Sequence, residues 1–426
     1  MAFNFDDFLY DSLKRFLRLI KRGNYPSDNE IVNLFAKRDE ISIIRRLRKK
    51  ETLNVAFFCQ STSLWKYETL FLQMIVDKHF NPIFFISPKL DIYKAMRNEI
   101  KMMQAYCIEK GFPYVGLKNN FFYIGQDITK YEIDIAFYTQ PYSNISCREY
   151  YYDRMKDALL CYTPYGYLIS KLKHNYISVL NQIAWKNYLP TTEAKRIAIS
   201  FNPSFNNLYD YGYLGYDVYN NCKPYQWGKE GKKRIIWSPH FSVGDGWIHL
   251  SSFLEIDDFM VELARKYEDS ISIAFKPHPY LYPTLCRVWG RKKTDAYYNL
   301  WNTMPNCMLV NGSGYSLMKS SDAMIHDCAS YLLDYMYTQK PCLYVSLSGH
   351  LNVESGQDGI DAYEAHYHAK NTEEIERFIK KVVLDGIDVM ESSRREVLHK
   401  HIIKPEHNTA TNRIMNDLIT SIYNSK

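Results

Sequence analysis

Residues 271–279, ISIAFKPHP, join a strand-like apolar run directly to a loop in which a lysine precedes a proline-flanked histidine. Residues 234–242, RIIWSPHFS, repeat that layout, with a histidine after a proline. Similar short apolar runs alternate with helical patterns elsewhere in the chain, at 55–58, 83–86, 135–138, 307–310, 323–325 and 342–345. This alternation predicts an α/β fold with parallel sheets that helices cover on both faces.

The length of 426 residues exceeds what one ordinary hydrophobic core supports, which predicts two domains of comparable size. The segment between them is rich in Asn, Tyr, Gly, Pro and Lys and shows no clear periodicity. We predict a basic helical segment, a first Rossmann-like domain, a connection, a second Rossmann-like domain and a final helix, over residues 1–50, 51–202, 203–233, 234–405 and 406–426.

The composition favours a globular protein of the cytoplasm. Nine cysteines without a CxxC pair argue against a disulfide framework and against a thiolate zinc site. No apolar run approaches the roughly 20 residues that cross a bilayer. The net charge of +6 suits an anionic ligand or an anionic membrane surface and does not demand nucleic acid.

Residues 1–22 have the pattern of an amphipathic helix, with apolar residues such as Phe8, Leu13 and Leu17 at helical spacing and lysines and arginines on the other face. One interpretation is a helix that lies on the inner face of the cell membrane and makes the protein peripheral there. The alternative is a helix that packs on the body of the protein with a solvated basic face.

Several phosphate-binding and metal-binding signatures are missing from the sequence. It contains no GxxxxGK[ST] loop, no GxGxxG after the first strand, no HExxH and no Asp-x-Asp pair. His366 and His368, two residues apart and without partners, are a weak metal signal. A phosphorylated ligand would therefore be neutralised by side-chain cations, hydroxyls, backbone amides and helix N-termini, and we expect no metal or other cofactor.

Three loops of the second half should meet at one edge of their sheet, because parallel strands all end on the same side. The first follows the strand at 234–237, the second follows the strand at 271–275, and the third runs through 320–330 into a helix. If the ligand is a phosphorylated donor substrate, the candidate donor-binding residues in these loops are Ser238, Pro239, Lys276, Pro277, Asp327, Ala329, Ser330 and Asp334. For Asp327 and Asp334 the alternatives are a helix cap and an outward-facing carboxylate.

His240 and His278 are the candidate catalytic residues. Imidazole titrates near neutral pH, so it can accept a hydroxyl proton or, when charged, stabilise a phosphate. The alternative for each is a structural or merely exposed histidine. In the first domain, residues 139–142 follow a predicted strand. Gln140 and Tyr142 are therefore candidates for the edge of the site that binds the second substrate, the acceptor of the transferred group.

These motifs resemble those of the CDP-glycerol glycerophosphotransferases of teichoic-acid and capsular-polymer synthesis. The resemblance rests on Pro239-His240, on KPHP at 276–279, and on SDAMIHDCAS at 321–330 with Asp334. The last run is similar to the family's Ser-Asp-x-x-Ile-x-Asp-Tyr-Ser-Ser-x-x-x-Asp element. Order and spacing match over roughly residues 233–415.

The resemblance implies the two-domain GT-B architecture, with a central cleft, and the transfer of glycerol phosphate from CDP-glycerol to a hydroxyl of a lipid-linked or growing polymer. His240 and His278 match the family's two functional histidines, and donor positions match at Lys276, Pro277, Ser330 and Asp334. Two departures are visible. Cys328 and Ala329 replace a Tyr and a Ser of the donor element, and Gln140-Pro141 stands where the family often has Trp-His-Gly.

On this reading His240 takes the proton of the attacking hydroxyl, while His278 and Lys276 stabilise charge on the pyrophosphate and the leaving CMP. Two alternatives remain open. One is a metal-independent GT-B glycosyltransferase that uses a CMP- or UDP-linked sugar in capsule synthesis. The other is a catalytically silent polymer-binding protein on the same frame.

Overall fold

The computed structural model describes residues 25–424 apart from 89–92, 121–122, 144, 146, 244–249, 311–313, 348–353 and 403–407, and without the side chains of 93–97. Its first sheet contains β1 (Leu53–Cys59), β2 (Phe80–Ile86), β3 (Tyr114–Val115), β4 (Ile135–Tyr138), β5 (Leu159–Tyr162), β6 (Lys186–Tyr188) and β7 (Leu208–Tyr209). The second contains β8 (Lys233–Ser238), β9 (Ile271–Phe275), β10 (Cys307–Leu309), β11 (Ala323–His326), β12 (Cys342–Val345) and β13 (Tyr367–Ala369).

The α-helices fill the connections between these strands. They are α1 (Asp28–Ala36), α2 (Glu40–Leu47), α3 (Glu68–Val76), α4 (Tyr93–Lys110), α5 (Val179–Ile183), α6 (Thr192–Phe201), α7 (Leu214–Asn221), α8 (Phe253–Lys266), α9 (Leu281–Val288), α10 (Arg291–Thr303), α11 (Tyr315–Ser320), α12 (Tyr331–Asp334), α13 (Gln357–Glu364), α14 (Thr372–Arg377), α15 (Glu391–Val397) and α16 (Ala410–Ile419). Short 3₁₀ turns occur at Thr62–Leu64, Ile128–Tyr131, Arg148–Tyr150, Tyr152–Met155, Lys173–Asn175 and Tyr335–Thr338. Wider π-type turns extend three of the last helices, at Phe378–Leu384, Leu398–Ile402 and Thr420–Asn424.

Both sheets are doubly wound. The seven-stranded sheet has the order β3-β2-β1-β4-β5-β6-β7 and the six-stranded sheet the order β10-β9-β8-β11-β12-β13, with parallel neighbours in each. The first strand of each half therefore lies at the centre, and the strand order reverses beside it. This is the topology in which ligands bind at the carboxyl ends of the two central strands. The expected GT-B architecture of two Rossmann-like α/β domains is confirmed.

The apolar runs became strands because the sheets bury both of their faces. Every residue of β4 and β9 is buried, so an uninterrupted run such as Ile271–Phe275 is stable only between two helical layers. Helix α8 covers one of those faces. It buries Phe253, Ile256 and Met260 at helical spacing, and its aromatic end packs on Trp237 of β8.

The chain crosses between the domains twice. The first sheet continues through β7, and the chain then passes by α7 into the second domain. It returns at the end, where Ile414 and Leu418 of α16 join the first core. Asp417 anchors this helix, because it accepts hydrogen bonds from Lys186 Nζ and Tyr188 Oη.

The two domains are in direct contact. Lys171 N–H donates to the Glu354 carbonyl at 2.8 Å, and Thr191 Oγ1 donates to the buried Asp358 carboxylate at 2.8 Å. Gly215 of α7 leaves no room for a Cβ, which would lie 2.2 Å from the hydroxyl oxygen of Tyr315 in the second domain.

The predicted amphipathic helix over residues 1–22 lies outside the described residues. Within the part of the chain that the structure does describe, no helix has both the length and the apolar character needed to span a bilayer. All nine cysteines are free thiols.

Candidate active site

The three predicted loops meet at the reversal point of the second sheet. The loop after β9 is tied to the loop after β8 by two hydrogen bonds, from His278 N–H to the Pro239 carbonyl at 3.0 Å and from Ser238 Oγ to the Lys276 carbonyl at 2.6 Å. The loop after β11 joins them, because Asp327 accepts a hydrogen bond from His240 N–H. The sequence prediction that these loops share one sheet edge is confirmed.

The two histidines of these loops face each other. The ring centroids of His240 and His278 are 5.2 Å apart, and the Phe241 ring lies 4.3 Å from the first and 4.6 Å from the second. Both imidazoles are half-buried. Burial lowers the pKa of His240 to about 4, and burial together with the neighbouring His240 and Lys276 lowers the pKa of His278 to about 3. An anion placed between these groups would reverse that effect by favouring their charged forms.

Hydrogen bonds to the inner ring nitrogens distinguish the two imidazoles. Nδ1 of His278 accepts from the Tyr280 N–H at 3.1 Å, so the neutral ring carries its proton on Nε2. Nδ1 of His240 faces the Ser242 hydroxyl at 2.8 Å and, at 3.2 Å, the Ser242 N–H. Both backbone N–H groups only donate, so each favours the tautomer that carries the proton on Nε2. His240 differs in that the Ser242 hydroxyl, which can donate or accept, lies closer to its Nδ1 than the N–H does.

Lys276 brings a cation to the same edge. Its side chain is 7% exposed and packs against Gly314, where an added Cβ would lie 2.8 Å from Lys276 Cε. The glycine therefore makes space for the lysine stem. Because the stem is confined and the backbone carbonyl is held by Ser238, the ammonium has few alternative positions.

Asp327 supports the His240 loop. Its buried carboxylate accepts from His240 N–H, from Ser251 Oγ at 2.9 Å and from Ser252 N–H at 3.0 Å. Burial raises the pKa of Asp327 to about 7, and these hydrogen bonds oppose the rise. With both oxygens occupied by the protein, we assign Asp327 a positioning role.

The rest of the third loop has mixed exposure. Cys328 is buried and its thiol contacts the Ser238 carbonyl at 3.6 Å. Ala329 is half-buried and Ser330 is exposed at the start of α12, where its side chain makes no capping hydrogen bond. Ser330 is therefore available to a ligand, whereas the Cys328 thiol packs inward.

Asp334 and Lys66 form a cluster across the two domains. Asp334 is buried and accepts a hydrogen bond from Tyr337 Oη at 3.1 Å. Burial raises its pKa to about 6, while Lys66 of the first domain is the largest influence in the opposite direction. Three influences act on the pKa of Lys66: burial lowers it most, the negative charge of Asp334 raises it, and the positive charge of Lys276 lowers it. The ammonium of Lys66 also lies 4.8 Å from the centroid of the Tyr315 ring.

Lys66 is the residue that sequence reasoning missed. It lies in the connection between β1 and α3, at the carboxyl end of the central strand of the first sheet. That position is the signal that could have found it, because the corresponding loop of the second sheet carries His240. A cation from each domain, Lys66 and Lys276, thus acts on the same carboxylate, that of Asp334.

The acceptor-side candidates lie at the carboxyl end of β4. Gln140 is buried, and its side-chain amide donates to the side chain of Gln60, which follows β1. Tyr142 is half-buried, and its hydroxyl donates to Asn175 Oδ1 at 3.2 Å. The structure therefore places Tyr142 nearer to solvent, whereas Gln140 joins the ends of the two central strands.

Solved structures share this fold across nearly the whole chain. A variant of the wall teichoic acid polymerase TagF soaked with CDPG has a TM-score of 0.53 and 11% identity, covering 99% of this chain and 98% of its own. Staphylococcus aureus MnaA with UDP has a TM-score of 0.54 and 12% identity, covering 87% and 96%. The UDP-GlcNAc 2-epimerase of Neisseria meningitidis bound to UDP-GlcNAc has a TM-score of 0.52 and 11% identity, covering 86% and 100%. No family model and no curated protein matches the sequence.

Proposed function

We propose that this protein transfers glycerol phosphate, or a related polyol phosphate, from its CDP derivative to a hydroxyl of a lipid-linked or growing polymer. The acceptor oxygen forms a bond to the β-phosphorus. The bond from that phosphorus to the bridging oxygen breaks, CMP leaves with the electron pair, and the hydroxyl proton is released to a base.

The observation that carries this proposal is the pair of imidazoles 5.2 Å apart beside Lys276 at the reversal point of the second sheet. Phosphoryl transfer depends mainly on positioning and on neutralising charge. Two imidazoles and an ammonium supply both functions. The likeness to the TagF structure soaked with CDPG supports the proposal, because it extends over both domains.

We propose different roles for the two histidines, on the basis of their hydrogen bonds. His278 carries its proton on Nε2, so it donates to a phosphoryl oxygen. For His240 to act as a base, its proton must lie on Nδ1, with the Ser242 hydroxyl as acceptor at 2.8 Å in place of the 3.2 Å hydrogen bond from the Ser242 N–H. Nε2 is then free to take the proton of the acceptor hydroxyl. His240 is then the general base, and His278 with Lys276 stabilises the charge on the diphosphate.

Residues around this core complete the donor site in our proposal. Ser330 offers an exposed hydroxyl, and Asp334, four residues further along the chain, interacts with Lys66 of the opposite domain. Because Lys66 reaches the site from the first domain, we expect donor binding to depend on how closely the domains approach. Tyr142 marks the acceptor side, and we propose that no metal takes part in the transfer.

Nucleotide release from a panel of donors tests the proposal. The purified protein is incubated with CDP-glycerol, CDP-ribitol, CMP-sugars and UDP-sugars, each with and without a polyol-phosphate or lipid-linked acceptor. We expect acceptor-dependent CMP release from a CDP-polyol. Turnover of a sugar nucleotide alone would overturn the phosphotransferase assignment.

The second candidate is a glycosyltransferase that uses a CMP- or UDP-linked sugar. It is favoured by the fold likeness to structures that contain UDP or UDP-GlcNAc. The same donor panel separates the two, since this candidate predicts turnover of a UDP- or CMP-sugar. A catalytically silent binding protein predicts no turnover with any donor. Donor turnover that is lost in His240→Ala and His278→Ala while donor binding persists would exclude that third possibility.

We also propose that the protein works in the cytoplasm, peripheral to the inner face of the membrane through residues 1–22. The basic and apolar pattern of this segment supports binding to anionic lipid. Deletion of these residues should release the protein from anionic liposomes at low salt, whereas neutral liposomes serve as the control. Unchanged binding after the deletion would contradict the proposal.

A further inference from the structure

Behind the loop at residues 327–330, which we call the donor loop, three potential metal ligands converge from distant parts of the sequence. His326 ends β11, Cys342 begins β12, and His366 directly precedes β13. Cys342 and His366 each stand one residue before the Leu343–Tyr367 pair, whereas His326 pairs with Tyr344, two residues further along β12. The ligand atoms of the three side chains lie within 4.8 Å of one another, and all three residues are 0–1% exposed.

The two imidazoles each leave one buried nitrogen without a partner. Nδ1 of His366 faces the Ala362 carbonyl at 2.7 Å, and Nδ1 of His326 faces the Cys328 carbonyl at 3.0 Å. The Ala362 carbonyl only accepts, so His366 donates from Nδ1 and keeps a lone pair on Nε2. His326 is in the same state when its Nδ1 donates to the Cys328 carbonyl; the Cys328 N–H at 3.2 Å favours the other tautomer. Within the described parts of the chain, neither Nε2 atom has a hydrogen-bond partner. A buried polar atom without a partner is unfavourable and requires an explanation.

We propose that His326, Cys342 and His366 bind a zinc ion that stabilises the second domain and has no part in the chemistry. Two imidazole nitrogens and a thiolate are the ligand types that zinc prefers, and a carbonyl that accepts from the other ring nitrogen is the usual support of a zinc-bound histidine. Zinc holds such atoms about 3.3 to 3.6 Å apart, so each side chain needs to move by about 1 Å or less.

Zinc binding replaces the thiol proton, which leaves as one proton for each ion bound. The Tyr344 hydroxyl is also buried without a partner among the described residues, and it lies on the same face of β12, where it can hold a zinc-bound water.

The site would act on the donor loop through His326. Besides the carbonyl contact, Cys328 N–H lies 3.2 Å from the same Nδ1. A zinc ion on Nε2 would fix the orientation of this ring and therefore the backbone of the residue that follows Asp327. Sequence analysis could not find the site, because the ligands are 16 and 24 residues apart in the chain and form no recognised motif.

Metal content tests the proposal without any activity measurement. The full-length protein, produced with zinc in the medium and passed through a chelating column, should retain about one zinc per chain by elemental analysis. Cys342→Ala and His366→Gln should lose it. The matched controls Cys161→Ala, at a buried strand thiol, and His368→Gln, at an exposed histidine two residues away, should keep it.

Cobalt spectroscopy covers the case in which a variant fails to fold. Wild-type protein refolded with Co²⁺ should show a thiolate-to-cobalt charge-transfer band and tetrahedral d–d bands. Zinc well below one equivalent together with the absence of these bands would overturn the proposal, as would full zinc retention in Cys342→Ala. Because neither readout depends on turnover, a failure here leaves the proposed transferase activity standing.

Discussion

Replacement of Lys276 by methionine isolates the contribution of the buried cation to donor activation. Methionine keeps an unbranched stem of similar length against Gly314, so the packing is preserved and the charge is removed. An ammonium about 4 Å from a phosphoryl oxygen, at an effective dielectric of about 20, contributes about 4 kcal/mol. Water that enters the cleft reduces this figure, and we expect about 2–4 kcal/mol of transition-state stabilisation to be lost. That corresponds to a decrease of about 30- to 1,000-fold in kcat/KM.

The assay is acceptor-dependent CMP release from CDP-glycerol, with the free energy of unfolding measured in parallel. Lys340→Met is the matched control, because this half-buried lysine of the same domain donates to the backbone carbonyls of Lys319 and Ser321 and has no contact with the site. It should affect stability and leave kcat/KM near the wild-type value. A Lys276→Met enzyme within about threefold of wild type would refute the electrostatic reasoning.

Four further changes test the remaining parts of the site. His240→Ala should lower kcat by about 10²–10⁴-fold with donor affinity retained by calorimetry, and equal losses of both would contradict its role as base. Burial lowers the pKa of His240 from 6.5 to about 4, and the unprotonated ring is the base. We therefore expect kcat/KM to stay constant as the pH falls to about 5 and to decline only near pH 4. A decline centred near pH 6.5 would contradict the burial argument. Lys66→Met should raise KM for the donor and raise the pKa of Asp334 further, whereas an unchanged KM would show that the domains do not meet over the donor. Asp327→Asn should raise the activation free energy from kcat by more than it lowers the free energy of unfolding, because the amide cannot accept from all three donors. A loss of stability with unchanged kcat would make the residue purely structural.

The central strands of both sheets could be predicted from the sequence, because their apolar runs have no other stable environment. The predicted strand at 271–275 coincides with β9, and that at 135–138 coincides with β4. The strands β3 and β6 are among those that were not predicted. β6 reads Lys-Asn-Tyr and β3 has two residues, so neither carries an apolar run. Their extended conformation comes from pairing with a neighbour that is already in place.

The same reasoning explains which site residues were found. His240, His278 and Lys276 follow recognisable strands, and the topology alone brings them together. The environment of Asp334 was not predictable, because the tyrosines and the lysine around it come from α11, from the turn after α12 and from the other domain. Contacts across domains leave no periodic pattern in a sequence.

The return of α16 to the first domain has a consequence for how the chain folds. The core around β1 and β4 includes Ile414, Leu418 and Ile422, which are separated from those strands by the whole second domain. During synthesis, the first 200 residues would therefore leave the ribosome with an uncovered apolar groove that only the final helix can fill. We expect that nascent chains halted before residue 410 bind chaperones through this groove, and that the same helix supplied as a separate peptide restores their solubility.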